Sequence, residues 1–487
     1  MTDTPRCTQN AKRQDWSDLA ASAASSAAAA RSLLESRRHD AGRSGPTGDR
    51  VLVTGGAGFI GSHLARRLLA DGLAVTAVDD FNDYYDPALK WENVADLLEH
   101  PGFEIVEADL RDIDGLRAGV EPHLPQRIVH LAARAGVRPS LRDPQLYMTV
   151  NVLGTQNVLD LAREWGVRHM VYASSSSVYG GSTEVVFRET QSVNAPISPY
   201  AASKKANELQ ATCYNRLYRL PVTGLRFFTV YGPGGRPDMA IRMFMERMDR
   251  GEPVPMFGDG SFERDYTYID DIVDGVHRAL DAGVDRPDHD EVFNLGESDT
   301  TNVRQLILMI AAALECLDMG VRDVKSLDVD TQMQLIAELE GRGLVERRPL
   351  QPGDVPRTCA DVSKARRVLG YAPATPIADG ILRTVAWHRQ ERSTTPAAVQ
   401  EGIRTYCRLR RRTFPDSLGR TMPPAWTPDD AVTAASALDA LTEAASASNG
   451  LLAARASLGL GTLLSDMAGA LASSRDAAGL AEWRTTD

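Results

Sequence analysis

A tyrosine and a lysine stand four residues apart in SPYAASKKANE, as Tyr200 and Lys204, and a row of serines, Ser174 to Ser177, precedes them in YASSSSVYGG. Residues four apart on a helix share a face, so the phenol and the ammonium would point the same way. A free phenol, with a pKa of about 10, is a poor base near neutrality. A neighbouring ammonium favours the phenolate and is expected to move that pKa towards the working range. A serine hydroxyl from the adjoining strand end would orient the reacting group. The same spacing also arises on any amphipathic helix, so the pair takes its meaning from its surroundings.

The surroundings include a glycine loop. VLVTGGAGFIGSHLA sets Gly55, Gly58 and Gly61 after a β-branched run and at the mouth of a helical pattern. The first glycine permits a tight turn, the second lets backbone N–H groups approach a pyrophosphate, and the third lets helix and sheet pack closely. Further on, the second strand ends in Asp79-Asp80, where a carboxylate would accept bonds from adenosine ribose hydroxyls and repel a 2′-phosphate. NAD is therefore expected over NADP. Glycines alone would only make a turn; strand, helix and acid together specify a dinucleotide. Asp109, in EADLRD, is expected at the adenine amino group unless it is merely a solvated loop carboxylate.

These residues need a scaffold. RVLVTG, LAVTAVD, FEIVEAD, RIVHLAA, RHMVYAS, VTGLRFF and EVFNLG read as buried parallel strands alternating with amphipathic helices. In IGSHLARRLLADG, Ile60, Leu64 and Leu68 share one face and Gly72 stops the helix. In PYAASKKANELQATCYNRLYRL, the expected inward face is Leu209, Cys213, Leu217 and Leu220. The fold class is thus α/β, a doubly wound parallel sheet (Rossmann) with a smaller C-terminal substrate-binding α/β domain. Its unit runs over residues 50–392, with a Rossmann core at 50–180, 200–230 and 265–296 and substrate-binding segments at 181–199, 231–264 and 297–392. Residues 1–49, rich in Ala and Ser, are expected to lack fixed structure. Residues 393–487 read as an Ala-rich tail, helical or disordered.

A formal net charge of −11 over 487 residues argues against a nucleic-acid partner. The basic island CRLRRRTF reads as a solvated helix face. Five cysteines without CxxC spacing indicate neither a zinc site nor a disulfide framework. No apolar run is long enough to span a membrane, and a cytoplasmic protein is expected.

TGGAGFIG, YASSSSVYG, SPYAASKKANE, RFFTVYGPGGRPDMA, RDYTYIDDIVDG and PLQPGDVPRTCADVSKARRVLGY resemble the extended short-chain dehydrogenase/reductase superfamily. More narrowly they are similar to nucleotide-sugar epimerases that act on UDP-glucuronate at C4. The resemblance covers residues 51–392. It implies that Tyr200 removes the 4-OH proton of a UDP-sugar while C4 reduces NAD⁺, and that the 4-keto sugar turns before it is reduced again. Ser175 aligns with the catalytic Ser/Thr, and Lys204 with the residue that tunes the tyrosine and bonds the nicotinamide ribose. The NAD contacts expected are Gly55, Gly58, Phe59, Ile60, Gly61, Asp79, Asn82, Asp109, Leu110, Leu131, Ala132, Ala133, Tyr200 and Lys204, with no metal.

Relatives that eliminate water or decarboxylate carry side-chain acids just before VYG, where this chain has Ser176 and Ser177. Neutral hydroxyls suit an anionic carboxylate, and Ser176, Ser177 and Thr229 are the candidates to hold one. Strand-end hydroxyls that satisfy backbone groups remain the alternative. By resemblance Arg264 and Arg236 face the diphosphate and Asp354 takes the uridine ribose. Either arginine could instead be a surface ion-pair partner. Gly234 stands where the family generally has tryptophan. The expected reaction is UDP-glucuronate to UDP-galacturonate; the alternatives are a UDP-glucose or UDP-N-acetylglucosamine 4-epimerase, or a non-catalytic nucleotide-binding module. A homodimer through the Tyr200 helix is also implied.

Overall fold

The computed structural model describes residues 16–41, 48–182, 184, 186–350, 355–390, 397–416, 426–445 and 450–483. Seven strands form its main sheet: β1 (Arg50–Thr54), β2 (Ala74–Asp79), β3 (Phe103–Glu107), β4 (Arg127–His130), β5 (His169–Ser175), β6 (Val222–Phe227) and β7 (Asp290–Leu295). They lie in the order β7-β6-β5-β4-β1-β2-β3, and every pairing is parallel. Each strand coincides with one of the apolar runs read from the sequence. Side chains alternate across the sheet: Val51 and Val53 enter one core, while Leu52 between them enters the other. Burial on both faces is why these strands read as continuous apolar runs. The strand order reverses between β1 and β4, and at such a point a crevice opens above the strand ends.

Helix α1 (Trp16–Ala41) precedes the sheet, α2 (Phe59–Ala70) follows the glycine loop, and α3 (Pro87–Glu92) follows β2. Helix α4 (Pro199–Tyr218) carries Tyr200 and Lys204. Its start is specified locally, by Ser198, whose side chain accepts from the Ala201 N–H at 3.1 Å, and by Pro199 in the first turn. Arg219, left-handed at φ 61°, ends it.

The inward face of α4 is not the expected one. Leu209 and Leu217 are 56% and 71% exposed, and Cys213 is exposed; only Leu220, past the helix, is buried. The buried face instead carries Ala201, Ser203, Lys204, Asn207, Glu208, Ala211, Tyr214 and Asn215. Its polar groups are satisfied: Asn207 donates to the Asn151 carbonyl at 2.8 Å, and Glu208 accepts from both Arg226 Nε and Nη2, at 2.8 and 3.0 Å. A polar face bonded internally is indistinguishable by hydropathy from a solvated one.

After β6 the chain builds small sheets beside the main one. Thr229–Tyr231 pairs in parallel with Tyr266–Tyr268. Glu263–Arg264 lies between Thr301–Asn302 and Arg357–Thr358, and Val254–Phe257 pairs with Val345–Arg348. The helix Val303–Ala313 supplies their core. A further helix spans Val329–Gly341, and Gly343 at φ +74° follows it.

The N-terminal extension holds a helix where none was expected to be fixed, and the tail takes the helical form of its two alternatives. Within the N-terminal extension, α1 lies along α7 (Gly450–Trp483), which also packs with α6 (Pro428–Ala445). Helix α5 (Ala397–Arg410) packs on α3, and its Val399, Ile403 and Tyr406 share one apolar core with Trp91, Phe103 and Ile105. The basic island is partly solvated, with Arg408 and Arg412 exposed, but it also carries ion pairs: Arg411 with Asp83 and Arg412 with Asp430. No helix among the described residues is long and apolar enough to cross a membrane.

Candidate active site

A cavity of about 380 Å³ opens above β1, β4 and β5. At one end lies the glycine loop. Gly55 adopts φ +68°, and a Cβ there would come within 2.9 Å of the Ala132 nitrogen. A Cβ on Gly61 would sit 2.2 Å from the Gly55 carbonyl, so the helix can approach the loop only without one. Helix α2 begins at Gly58 with no side-chain cap. Its first N–H groups therefore face the cavity wall uncapped, the arrangement that receives a phosphate.

Two carboxylates stand at the glycine-loop end. Asp79 Oδ1 accepts from Lys90 Nζ at 2.8 Å and from the Phe81 N–H at 3.0 Å, and Asp80 lies 3.6 Å from the same ammonium. Burial opposes ionisation of Asp80, but Lys90, Arg134 and bonds from Asn82 outweigh it and hold its carboxyl below the ordinary value. Asp109 is buried and paired with Arg111 at 2.6 Å. Asn82, Leu110, Leu131, Ala132 and Ala133 line the wall between.

At the other end the four serines divide their work. Ser174 donates to Glu208 at 2.7 Å and so faces away from the cavity mouth into the sheet–helix joint. Ser175 accepts from the Ser177 N–H at 3.1 Å, and its hydroxyl favours the Tyr200 phenolate. Ser176 and Ser177, with Thr229, are half-buried on the cavity wall. Lys204 Nζ donates to the Ala173 carbonyl at 2.8 Å. Tyr200 lies edge-on to Tyr147, with centroids 6.2 Å apart.

The electrostatics differ from the expectation that Lys204 draws the Tyr200 pKa down. Burial raises the phenol above its usual value, against the opposing Ser175 bond and Arg236 charge. Lys204 itself is pushed down to about 8 by burial. Its ammonium spends a bond on a backbone carbonyl, and desolvation governs both groups.

Of the residues expected to hold substrate, Arg236 reaches the cavity. It pairs with Asp238 at 2.6 Å and lies over the Tyr84 ring, 5.4 Å from its centroid. Arg264 does not line this cavity; it is half-buried on its short strand, with Nη1 donating to the Glu263 carbonyl at 2.8 Å. Asp354 falls outside the described residues. Reasoning from sequence missed Tyr84, Tyr85, Lys90 and Arg134, all on the wall. The signal available was FNDYYDPALK, a loop unusually rich in aromatic and charged groups directly after the acidic pair.

A family model described as GDP-mannose 4,6 dehydratase matches residues 52–384. The chain is 38% identical over 340 residues to UDP-glucuronate 4-epimerase of Thermodesulfobacterium geofontis, a match covering 70% of this chain and 96% of that protein. It is 40% identical over 354 residues to UDP-glucuronate 4-epimerase 4 of Arabidopsis thaliana, covering 70% and 75% respectively. Among solved structures, UDP-glucuronic acid 4-epimerase of Bacillus cereus, in complex with UDP-glucuronic acid and NAD, aligns at 30% identity and a TM-score of 0.59, over 70% of this chain and 99% of that one. UDP-glucose 4-epimerase of Thermotoga maritima, with UDP-glucose, aligns with the same identity, TM-score and coverage.

The depressed Lys204 pKa has a consequence for stability. Between about 8 and the ordinary 10.5 the unfolded chain binds the proton that the folded chain has released. Stability therefore rises with pH across that window, and below it the buried ammonium costs on the order of 3 kcal/mol. Urea unfolding of the protein and of Lys204→Met should show the wild type gaining on the variant from pH 8 to pH 10.5. A difference independent of pH would contradict the assignment.

Proposed function

Because the chain belongs to the NAD-dependent epimerase/dehydratase family of the extended short-chain dehydrogenase/reductase superfamily, we propose that it is a UDP-glucuronate 4-epimerase. The family is NAD-dependent, and the residues present fit the cofactor: the uncapped N-terminus of α2 suits a diphosphate, and the carboxylates at the ends of β2 and β3 suit an adenosine. NAD⁺, when bound, would supply the redox partner for C4. The chain does the rest. Tyr200 takes the 4-OH proton, Ser175 orients that hydroxyl, and Lys204 holds the Tyr200 helix to the end of β5. After the 4-keto sugar turns, C4 is reduced again on its opposite face, Tyr200 returns the proton to the 4-oxygen, and net redox is zero.

The observation that carries the uronate is the pair Ser176 and Ser177 on the wall beside Tyr200, where a neutral hydroxyl stands in place of a side-chain acid. A 4-keto uronate is a β-keto acid and loses CO₂ readily. Hydroxyls of Ser176, Ser177 and Thr229 would turn its carboxylate out of line with the carbonyl π system. The charge of Arg236 reaches Tyr200, which favours a role for this arginine near the sugar rather than at the diphosphate. The equal alignment with a UDP-glucose 4-epimerase supports a second reading, the neutral sugar with the same Tyr200 chemistry.

The exposed stripe of Leu209, Cys213 and Leu217, spaced by four along α4, supports a homodimer formed through that helix.

Three measurements test these readings. Purified protein given UDP-glucuronate should form the C4 epimer without released CO₂, and Tyr200→Phe should lose at least about 100-fold in kcat while still binding nucleotide. Epimerisation of UDP-glucose alone would shift the assignment to the neutral sugar. Ser177→Glu should lower kcat/KM for the uronate by about tenfold or more, through like-charge repulsion; full activity would remove the carboxylate clamp. Leu209→Glu with Leu217→Glu should sediment as a monomer if α4 forms the interface, and an unchanged dimer would place the interface elsewhere.

A further inference from the structure

Residues beyond the family match do not hang free of the site. The match ends at residue 384, and the T. geofontis relative is covered over 96% of its length without the segments outside it. The C-terminal appendage lies beyond the family match, and some of its side-chain contacts fall on the two loops at the glycine-loop end of the cavity.

On the loop after β2, Arg404 donates from Nε and Nη2 to Asp86 at 3.0 and 2.8 Å, and Arg411 pairs with Asp83. Asp86 is also the N-cap of α3, accepting from the Ala88 N–H at 3.0 Å. Helix α3 carries Lys90, the partner of Asp79, and Trp91, which stacks on Phe81 with centroids 4.1 Å apart. On the loop after β3, Arg111 makes a fork. Nε and Nη2 hold Asp109 at 2.9 and 2.6 Å, while Nη2 donates to the Pro415 carbonyl at 2.7 Å and Nη1 to the Asp416 carbonyl. Tyr406 donates to Glu107 at the end of β3. Glu107 directly, and Asp109 through Arg111, are thus tied to chain between 404 and 416, while Asp79 and Asp80 are reached through the loop and helix that carry Asp83, Asp86 and Lys90.

We propose that this appendage is a clamp that slows NAD release by tying down the adenosine-end loops, with Arg111 as a positioning residue for Asp109. The proposal rests on the NAD reading given above. A ligand held between two loops leaves when one of them opens. Here opening the β2 loop means parting two arginine–carboxylate pairs, and opening the β3 loop means pulling Arg111 from two carbonyls. Preorganised loops also spare NAD the entropy of ordering them.

The test uses the full chain. NAD dissociation is timed after dilution into an NAD-degrading trap, for the wild type and for Arg404→Ala with Arg411→Ala. Affinity for nicotinamide mononucleotide, which lacks the adenosine half, is measured alongside. The double variant should release NAD roughly fivefold faster, the scale of two partly exposed ion pairs, with unchanged affinity for the mononucleotide. An unchanged NAD rate overturns the clamp, and so does an equal loss for the mononucleotide, which would signal general loosening. A charge exchange guards against misfolding: Arg411→Asp alone should release NAD faster, and adding Asp83→Arg should restore the slow rate. Failure to restore it also overturns the clamp. A wild type that binds no NAD would defeat the functional reading itself, and the two failures are told apart by that first measurement.

Discussion

The buried pair between Glu208 and Arg226 joins the helix that carries Tyr200 to β6, the neighbour of the strand that carries the serines. Both side chains are almost wholly out of water, and each uses two atoms on the other. Such a pair gains little net stability, because desolvation offsets most of its attraction. It does set registration. Ser174 donates to Glu208, and Arg226 also donates to Tyr179 at 3.0 Å, which donates in turn to Asn294 on β7. Lys204, one turn before Glu208, donates to the Ala173 carbonyl on β5. Together these bonds hold the Tyr200 phenol against Ser175, and a shift of α4 by one turn would leave an arginine and a carboxylate buried and unpaired.

From that joint the cavity runs along the strand ends to the adenosine side, and the two ends are built differently. The Tyr200 end is made of hydroxyls and one paired arginine, Arg236. The glycine-loop end is made of carboxylates, each with a cation against it: Lys90 beside Asp79 and Asp80, Arg111 beside Asp109. The doubly wound order puts both on one edge of the sheet, since β1 to β3 and β4 to β7 diverge from the same reversal. Among the described residues, the appendage's bonds to Asp83, Asp86 and Arg111 fall on the glycine-loop end.

Much of this was legible in the chain. All seven strands lie in the apolar runs, because a parallel strand covered on both faces must be apolar at nearly every position. The glycine loop was legible because two of its glycines are demanded by backbone geometry within a few residues. The face of α4 was misread for a definite reason. Leu209, Cys213 and Leu217 form the more apolar stripe, yet the site requires Lys204, Asn207 and Glu208 inside. Hydropathy ranks solvents, and here the solvent of the polar face is other protein.

What local sequence determined, then, are the elements and the offsets along them: the turn at Gly55, the start of α4 at Ser198, the four-residue step from Tyr200 to Lys204. These depend on backbone sterics and hydrogen bonds closed over a few residues. Only the tertiary structure decided that Lys90 meets Asp79, that Arg236 comes to the wall near Tyr200 while Arg264 does not, that burial rather than Lys204 governs the Tyr200 proton, and that residues 404 to 416 reach Asp83, Asp86 and Arg111. Each of those is a meeting of groups far apart in the chain or a matter of water excluded by the whole fold. Neither distance nor dielectric is written in a local pattern of residues.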